Sequence, residues 1–142
     1  MENKFMRLAL TEAKTAAENG DVPVGAVIVK DGQVVARAHN TREKDLNALG
    51  HAELSAIYKA CEVLGRWRLD DCDLYVTLEP CLMCTGACIQ ARLRRVYFGA
   101  YDPQRGYGAS NQVEGRGFEC YCGIMEQECT ELLNKFFNNL RK

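Results

Sequence analysis

The sequence has no uncharged apolar run of the roughly 20 residues that are needed to cross a lipid bilayer. Residues 1–14 carry charges throughout and lack the apolar stretch and small-residue cleavage site of a secretory signal. We therefore expect a cytoplasmic protein without a membrane partner. Internal repeats, low-complexity tracts and linkers are also missing, so we expect one domain over residues 1–142.

An excess of positive charge is missing as well, because the formal net charge is −1 at pH 7. No global basic field attracts nucleic acid, and any RNA contact must come from a local patch. Histidine is scarce, with two residues, whereas cysteine is plentiful, with eight. In a chain without an export signal, such cysteines more often serve as metal ligands or small core residues than as disulfides.

Local patterns predict an α/β fold, a mixed sheet with helices on both faces. The first two strands should form an antiparallel hairpin around Asp31-Gly32, and the later strands, linked by helices, should run parallel. The predicted helices are 4–19, 51–64, 81–93 and 125–140, the strands 22–30, 33–39, 72–78, 95–100 and 118–124, and the longer loops 40–50 and 101–117.

The two terminal helices are predicted to be amphipathic. The first should bury Phe5, Leu8, Ala9, Ala13, Ala16 and Ala17. The last should bury a stripe of Leu132, Leu133, Phe136, Phe137 and Leu140. Since Phe136 and Phe137 are adjacent, one of these two rings is expected to be half exposed.

Two short motifs place potential metal ligands at predicted helix starts. In "EPCLMCTGAC", Cys81 and Cys84 are three residues apart, so their sulfurs can face one metal, and the positive end of the helix favours thiolates. His51 starts the preceding helix. Because helices on one side of an alternating sheet begin at the same sheet edge, these three side chains are predicted to form a catalytic zinc site with a fourth position for water.

Glu53 lies two residues after His51 and so points elsewhere. It can approach a metal-activated water without ligating the metal, and can carry a proton to the leaving group. Two alternatives stay open. Cys81 and Cys84 could join Cys120 and Cys122 in a closed structural zinc site, or His51 could be an ordinary helix-start residue. Both alternatives leave Glu53 without a role.

The remaining cysteines are expected to pack as small apolar side chains. Cys88, one helical turn after Cys84, could add a fourth ligand but is more often a buried residue. No ligand spacing is present at Cys61, Cys72 and Cys129. His39 ends a predicted strand far in sequence from the metal ligands, and we expect it to be structural.

The pattern H-x-E followed by P-C-x-x-C is the known signature of zinc nucleobase deaminases. At these residues the chain resembles the cytidine deaminase superfamily and, within it, is similar to bacterial tRNA-specific adenosine deaminases. The resemblance covers nearly the whole chain, including "DVPVGAVIV", "ARAHN", "HAE", "LYVTLEPCLMCTGA", "RVYFGAYDP" and "LLNKFF". It implies a homodimer with a three-layer α/β/α fold on a five-stranded mixed sheet.

The resemblance also implies residue roles. Glu53 would be the proton shuttle, Asn40 would bond the target nucleoside, Ala52 would offer a backbone N–H near the activated water, and Asp102 would contact a neighbouring nucleotide. The implied zinc ligands are His51, Cys81 and Cys84. Two of these residues have simpler alternatives, since Asn40 suits a loop turn or cap and Asp102 before Pro103 suits a turn.

The expected activity is the hydrolytic deamination of adenosine to inosine at the tRNA wobble position. The target base would be splayed out of the anticodon loop, because RNA is read mainly through unstacked loops. A free nucleobase or nucleoside, such as cytosine or guanine, is the alternative substrate. A non-catalytic, zinc-stabilised binding module is a third hypothesis, and Glu53 argues against it.

Seven basic residues could contact RNA phosphates or form only a solvated surface. They are Arg92, Arg94, Arg95, Arg105, Lys135, Arg141 and Lys142. Two features depart from the tRNA enzymes. The segment from Ser110 to Phe118 is a few residues shorter than usual and lacks an Asn-His pair, and the chain stops at Lys142 without a longer basic tail.

Overall fold

The computed structural model describes residues 1–106 and 117–140. Most of the predicted 101–117 loop, most of the Ser110–Phe118 segment, and Arg141 and Lys142 lie outside the described residues. The described residues form, in chain order, α1 (Lys4–Glu18), β1 (Gly25–Lys30), β2 (Gln33–His39), α2 (Ala52–Leu64), β3 (Cys72–Leu78), α3 (Leu82–Gln90), β4 (Arg95–Ala100), β5 (Glu119–Tyr121) and α4 (Glu126–Leu140).

The described strands form a five-stranded mixed sheet in the order β2-β1-β3-β4-β5. β1 pairs antiparallel with β2 and β3, whereas β4 pairs in parallel with β3 and β5. The β1–β2 hairpin turns at Asp31 and Gly32, whose φ angles of 51° and 74° are both positive, as a type I′ turn requires. The predicted hairpin and parallel strands are confirmed.

Helices cover both faces of the sheet, as predicted. α2 and α3 pack on one face, in a core that includes Ala56 and Leu74. α1 and α4 pack on the other face, in a core that includes Leu10, Tyr75 and Leu133. Leu74 and Tyr75 are consecutive residues of β3, and their side chains enter different cores because alternate residues of a strand face opposite sides. The result is a three-layer α/β/α arrangement.

Two elements are shorter than the sequence predicts. α3 ends at Gln90 rather than near 93, because Arg92 adopts a φ of 61° that turns the chain and leaves Leu93 buried at 2% exposure. β5 covers Glu119–Tyr121 rather than 118–124, and the φ of 75° at Gly123 turns the chain soon after it. β5 is also the last strand of the sheet, so it pairs on one side only.

The buried faces of the terminal helices differ in part from those predicted. α1 buries Met6 and Leu10, which the predicted stripe omits, and leaves Phe5 half-buried. Because alanines occur at several positions around α1, its apolar stripe can be drawn at more than one rotation about the helix axis. The sequence alone therefore leaves open which side of α1 faces the sheet. In α4, Phe137 is 40% exposed and Phe136 half-buried, as expected for adjacent rings, whereas Leu140 of the predicted stripe is 65% exposed.

The fold brings the starts of α2 and α3 to one end of the sheet. β2 and β3 run in the same direction because both are antiparallel to β1. α3 follows β3 through Glu79 and Pro80, and α2 follows β2 through the predicted 40–50 loop. That loop folds on the buried Asp21 carboxylate, which accepts the N–H groups of Glu43 at 2.7 Å and Lys44 at 3.2 Å.

No helix within residues 1–106 and 117–140 is long and apolar enough to cross a membrane.

Candidate active site

His51 and Cys81 are the residues that immediately precede α2 and α3. Both have the extended backbone of a helix-capping residue, with φ and ψ of −90° and 143° at His51 and of −74° and 177° at Cys81. Neither side chain caps its helix. These two positions, which usually hold Ser, Thr, Asp or Asn, therefore carry side chains that are available for another purpose.

The side chains of His51, Cys81 and Cys84 converge. The Nδ1 atom of His51 lies 3.7 Å from Cys81 Sγ and 3.4 Å from Cys84 Sγ, and the ligand atoms of all three residues lie within 4.8 Å of one another. Tetrahedral zinc with Zn–S of about 2.3 Å and Zn–N of about 2.05 Å requires a sulfur–nitrogen separation of about 3.6 Å. The donor set and its spacing therefore fit zinc, with one position left for another ligand.

The two thiols have opposite pKa shifts. A hydrogen bond from the Cys84 thiol lowers the pKa of Cys81 to about 3, and His51 contributes to this shift. The hydrogen bond to Cys81 and burial raise the pKa of Cys84. The pair thus loses its first proton easily, and ionising the second sulfur requires a nearby cation. The hydrogen bond with Cys81 is also the main cause that raises the pKa of His51.

Glu53 lies in the first turn of α2 and is 4% exposed. Burial raises the pKa of its carboxyl group to about 7. The neighbouring Cys84 thiol lowers the pKa of this carboxyl group, whereas the ligand cluster in the described part of the chain consists of His51, Cys81 and Cys84 alone. A buried carboxyl group beside a metal site, with a pKa near neutrality, is suited to proton transfer.

Asn40 and Ala52 are in direct contact at the edge of the same cluster. The backbone N–H of Ala52, the first residue of α2, donates to Asn40 Oδ1 at 3.0 Å. The donor fixes the orientation of the amide, because only the oxygen can accept this bond. The NH₂ group of Asn40 is the part of the side chain that can donate to a ligand.

Comparison with known proteins identifies the family. The chain matches the cytidine and deoxycytidylate deaminase zinc-binding region over residues 1–100. It is 46% identical over 144 residues to the tRNA-specific adenosine deaminase of Bacillus subtilis (strain 168), covering 97% of this chain and 89% of that protein. The chain belongs to the cytidine and deoxycytidylate deaminase family, among its tRNA-specific adenosine deaminases.

Solved structures of deaminases share the fold. One, from a study of A-to-I editing by tRNA:A34 deaminases at the wobble position of transfer RNA, matches with a TM-score of 0.87 and 44% identity, covering 93% of this chain and 100% of that chain. The guanine deaminase of Bacillus subtilis matches with a TM-score of 0.66 and 43% identity, covering 71% of this chain and 66% of that chain. Membership in the deaminase family confirms three predictions, namely the three-layer fold, an enzyme that deaminates by hydrolysis, and zinc as its cofactor.

Asp102, which the resemblance to these deaminases implicates in nucleotide binding, forms a turn. Its Oδ1 accepts the N–H groups of Gln104 at 3.2 Å and Arg105 at 3.1 Å. The turn lies beside the predicted metal ligands, because Gly106 forms an antiparallel bridge with Cys81. Asp102 is therefore at the edge of the site, and its Oδ2 is the oxygen that this turn does not use.

Two residues near the ligand cluster were not foreseen from the sequence. Glu79 is 6% exposed, and its Oε1 accepts the backbone N–H of Asp102 at 3.0 Å. Arg42, in the loop before α2, is exposed, and its charge opposes the rise in the pKa of His51. An acid at the end of a buried strand, directly before Pro-Cys, was a usable signal for Glu79. The loop sequence offered no such signal for Arg42.

The predicted basic residues do not form one patch in the described part of the chain. Arg94 bonds Asp73 at 3.1 Å through both Nε and NH2, and Arg95 approaches the same carboxylate at 3.5 Å. These residues lie at the start of β3 and β4, whereas Cys81 lies beyond the other end of β3, and the strand from Asp73 to Leu78 alone spans about 17 Å at the usual rise per residue. Among the predicted basic residues that the structure describes, Arg105 lies close to the site, in the turn beside Cys81.

Within the described residues, the alternative ligand roles of the remaining cysteines find no support. Cys120 is half-buried and Cys122 is exposed, and neither joins the ligand cluster of the described residues. Cys88 is fully buried in the core under α2 and α3. His39 bonds Glu12 at 2.8 Å, away from the metal ligands, in agreement with a structural role.

Proposed function

We propose that this protein converts adenosine to inosine by hydrolysis at the wobble position of tRNA. The observation that carries the proposal is a zinc-compatible set of one nitrogen and two sulfurs next to a buried carboxyl group, in a chain that aligns with tRNA-specific adenosine deaminases over 97% of its length. In the reaction, water adds at C6 of adenine and the amino group leaves as ammonia.

Three residues would hold the zinc in this proposal. They are His51, Cys81 and Cys84, whose donor atoms have the separations that tetrahedral zinc requires. Zinc in such a site lowers the pKa of a bound water to about 7 and so supplies a nucleophile at neutral pH. Both ligand-bearing helices begin at the site, so their positive ends favour the thiolate form of the cysteines.

Glu53 would move the protons. Its carboxyl group takes a proton from the attacking water and delivers it to the nitrogen that leaves. A pKa near 7, caused by burial, supports this role because the group can both accept and donate a proton close to neutral pH. Because Glu53 is 4% exposed, bulk water has little access to this proton.

Asn40, Ala52 and Asp102 would form the nucleotide-binding part of the site. The NH₂ group of Asn40 is held in place because the N–H of Ala52 occupies its oxygen at 3.0 Å. It can donate a hydrogen bond to an acceptor atom of the bound nucleoside. Asp102, in the turn next to Cys81, would contact the adjacent nucleotide through Oδ2.

We further propose that the enzyme is a homodimer. The sequence of α3, LMCTGACIQ, contains no charged residue, and Leu82 at its start is 56% exposed. A helix that is largely apolar on all sides is normally covered on all sides. Tyr58 of the adjacent α2 is 66% exposed. A second copy of the chain, seated on α2 and α3, would bury this face close to both metal sites.

The single-domain organisation over residues 1–142 and the cytoplasmic location are part of the same proposal. Both cores lie against the two faces of a shared sheet, which supports one domain. The bacterial relatives named as tRNA-specific enzymes support the cytoplasm, where tRNA is modified.

The test is a comparison of substrates with the zinc-loaded enzyme. An anticodon stem-loop with adenosine at the wobble position is assayed beside adenosine, cytidine, cytosine and guanine. The proposal requires efficient inosine formation in the stem-loop, weakened by salt because phosphate contacts release counterions, and poor turnover of the small substrates. Efficient turnover of guanine or another free base, with an untouched stem-loop, would replace the tRNA proposal by the free-base alternative.

A further inference from the structure

A short turn over residues 102–106 lies against Cys81, a proposed zinc ligand that follows the end of β3. Gly106 forms an antiparallel bridge with Cys81, and its N–H donates to the Asp102 carbonyl at 2.9 Å. The Asp102 carboxylate closes the turn through the backbone N–H groups of residues 104 and 105. The turn is therefore ordered by its own hydrogen bonds and docked on a metal ligand.

Glu79 occupies the inside of this arrangement. Its side chain is buried, and its Oε1 accepts the Asp102 N–H at 3.0 Å. Its own backbone N–H donates to the Ala100 carbonyl at 2.8 Å, which fixes its main chain at the end of the sheet. In the described part of the chain, the ligand cluster does not include Glu79, although this residue is two positions before Cys81.

Gly106 has no space for a side chain at this contact. A Cβ atom there would lie 2.3 Å from both Cδ and Oε1 of Glu79 and 2.7 Å from the Asp102 carbonyl oxygen. The φ angle of Gly106 is not positive, so its backbone conformation is open to any residue. The glycine is thus required by two close contacts, one with the Glu79 carboxyl group and one with the Asp102 carbonyl oxygen of the same turn.

We propose that Glu79 is a positioning residue that holds the 102–106 turn at the mouth of the site, so that Arg105 and Asp102 meet the RNA beside the target base. This inference rests on the proposed tRNA substrate. Arg105 is exposed and lies in the turn, so its guanidinium can reach a phosphate, a contact that orients RNA without reading its sequence. Glu79 acts through the turn and does not touch the reacting atoms.

The first experiment compares Glu79→Ala with Glu79→Gln in the zinc-loaded full chain. Glutamine keeps an oxygen that can accept the Asp102 N–H, whereas alanine removes it. In Glu79→Ala we expect KM for the anticodon stem-loop to rise about tenfold, as for one lost buried hydrogen bond, with kcat and zinc content near those of the wild type. Glu79→Gln should restore most of the affinity. If Gln is as defective as Ala, or if only the melting temperature changes, the proposal is wrong.

A second pair of variants tests the contact itself. Gly106→Ala should raise KM for the stem-loop because the new methyl group displaces the turn from Glu79. In the double variant Glu79→Ala/Gly106→Ala, the methyl group no longer meets a carboxyl group and retains only its contact with the Asp102 carbonyl oxygen, so the two effects should be less than additive. Strict additivity would show that the two residues act independently, contrary to the proposal.

A direct readout separates this inference from the proposed function. Amide hydrogen exchange at Asp102 should accelerate in Glu79→Ala and remain slow in Glu79→Gln, whatever the substrate. Unchanged exchange in Glu79→Ala would overturn the positioning role. If the wild type deaminates a free base and not the stem-loop, the proposed function fails, and the RNA contact of the turn is overturned with it.

Discussion

The amide oxygen of Asn40 accepts the backbone N–H of Ala52 at 3.0 Å. This bond joins the residue after β2 to the first residue of α2, across the whole of the intervening loop. It places the Asn40 amide next to His51, and it assigns different tasks to the two ends of the amide. The oxygen holds the helix start, and the nitrogen remains for the substrate.

Two substitutions at Asn40 separate these tasks. In Asn40→Asp, a carboxylate oxygen can still accept the Ala52 N–H and suits the positive end of α2, so the melting temperature and zinc content should change little. The NH₂ donor is lost, and kcat/KM should fall about 10- to 100-fold, as for an unpaired buried polar group. Asn40→Ala should lose activity and stability together. Normal kcat/KM in Asn40→Asp would contradict the assignment of the nitrogen to the substrate.

Zinc content should depend on the three clustered side chains. Cys81→Ser, Cys84→Ser and His51→Ala should each lose zinc in elemental analysis of the purified protein, because each removes one of three protein ligands. Cys122→Ser is the matched control, since this exposed cysteine belongs to the alternative closed site and not to the cluster. Loss of zinc from Cys122→Ser, with retention in His51→Ala, would favour the closed cysteine site.

Glu53→Gln should fold and bind zinc but lose turnover. The replacement has nearly the same shape and removes an ionisable group from a buried position, so we expect no loss of thermal stability. Turnover should fall by at least ~10²–10⁴-fold, the contribution typical of a general acid–base group. Single-turnover rates on the stem-loop, together with binding of the same RNA by titration, provide the measurement. A zinc-loaded Glu53→Gln with near wild-type rate would exclude the proton-transfer role.

Gly86 provides a probe of the proposed dimer. Among the described residues, and apart from the backbone of the helix itself, a Cβ atom added at this position of α3 meets no heavy atom within 4 Å, so a side chain can leave the helix here into open space. In a dimer that covers α3, the same side chain would meet the partner subunit. Gly86→Arg should therefore shift the mass measured by light scattering from dimer to monomer, while far-UV circular dichroism stays the same. A wild-type monomer, or a Gly86→Arg dimer of unchanged stability, would contradict an interface on α3.

Acid should weaken the fold through Glu12. Burial alone would raise the pKa of this carboxyl group, but hydrogen bonds from His39 and Arg37, both 2.8 Å, lower it. A lowered pKa in the folded state contributes stability above the unfolded pKa of about 4.3, and this contribution is lost as pH falls through the folded value. Urea unfolding across this range should show a smaller acid dependence for Glu12→Gln than for the wild type. Equal pH dependence of the unfolding free energy in both proteins would show that Glu12 does not contribute to the acid sensitivity of the fold.

Much of the fold follows from local sequence signals. Asp31-Gly32 predicts the hairpin because both residues tolerate positive φ, and Gly65, with φ of 67°, ends α2 where predicted. The convergence of His51 with Cys81 was also predictable. Each precedes a helix that follows a strand, and the two strands run in the same direction.

Contacts between residues far apart in the sequence were harder to predict. The bond from Asp102 to Glu79 joins positions 23 apart, and nothing local marks an acceptor for that N–H. The pairing of Arg94 with Asp73 depends on the register of β3 and β4. This register places Arg94, a predicted RNA contact, at the opposite end of the sheet from Cys81. Short-range patterns define the elements, whereas these pairings depend on how the elements are placed together.

The most direct test of the central claim follows the oxygen atom. The zinc-loaded enzyme is incubated with the anticodon stem-loop in water enriched in heavy oxygen, and the RNA is sequenced by mass spectrometry. The account predicts inosine at the wobble nucleotide, with one heavy oxygen at C6, adenosine unchanged elsewhere in the loop, and no labelled inosine with Glu53→Gln. An unmodified wobble adenosine, under conditions in which the same enzyme releases ammonia from guanine or another free base, would contradict the account.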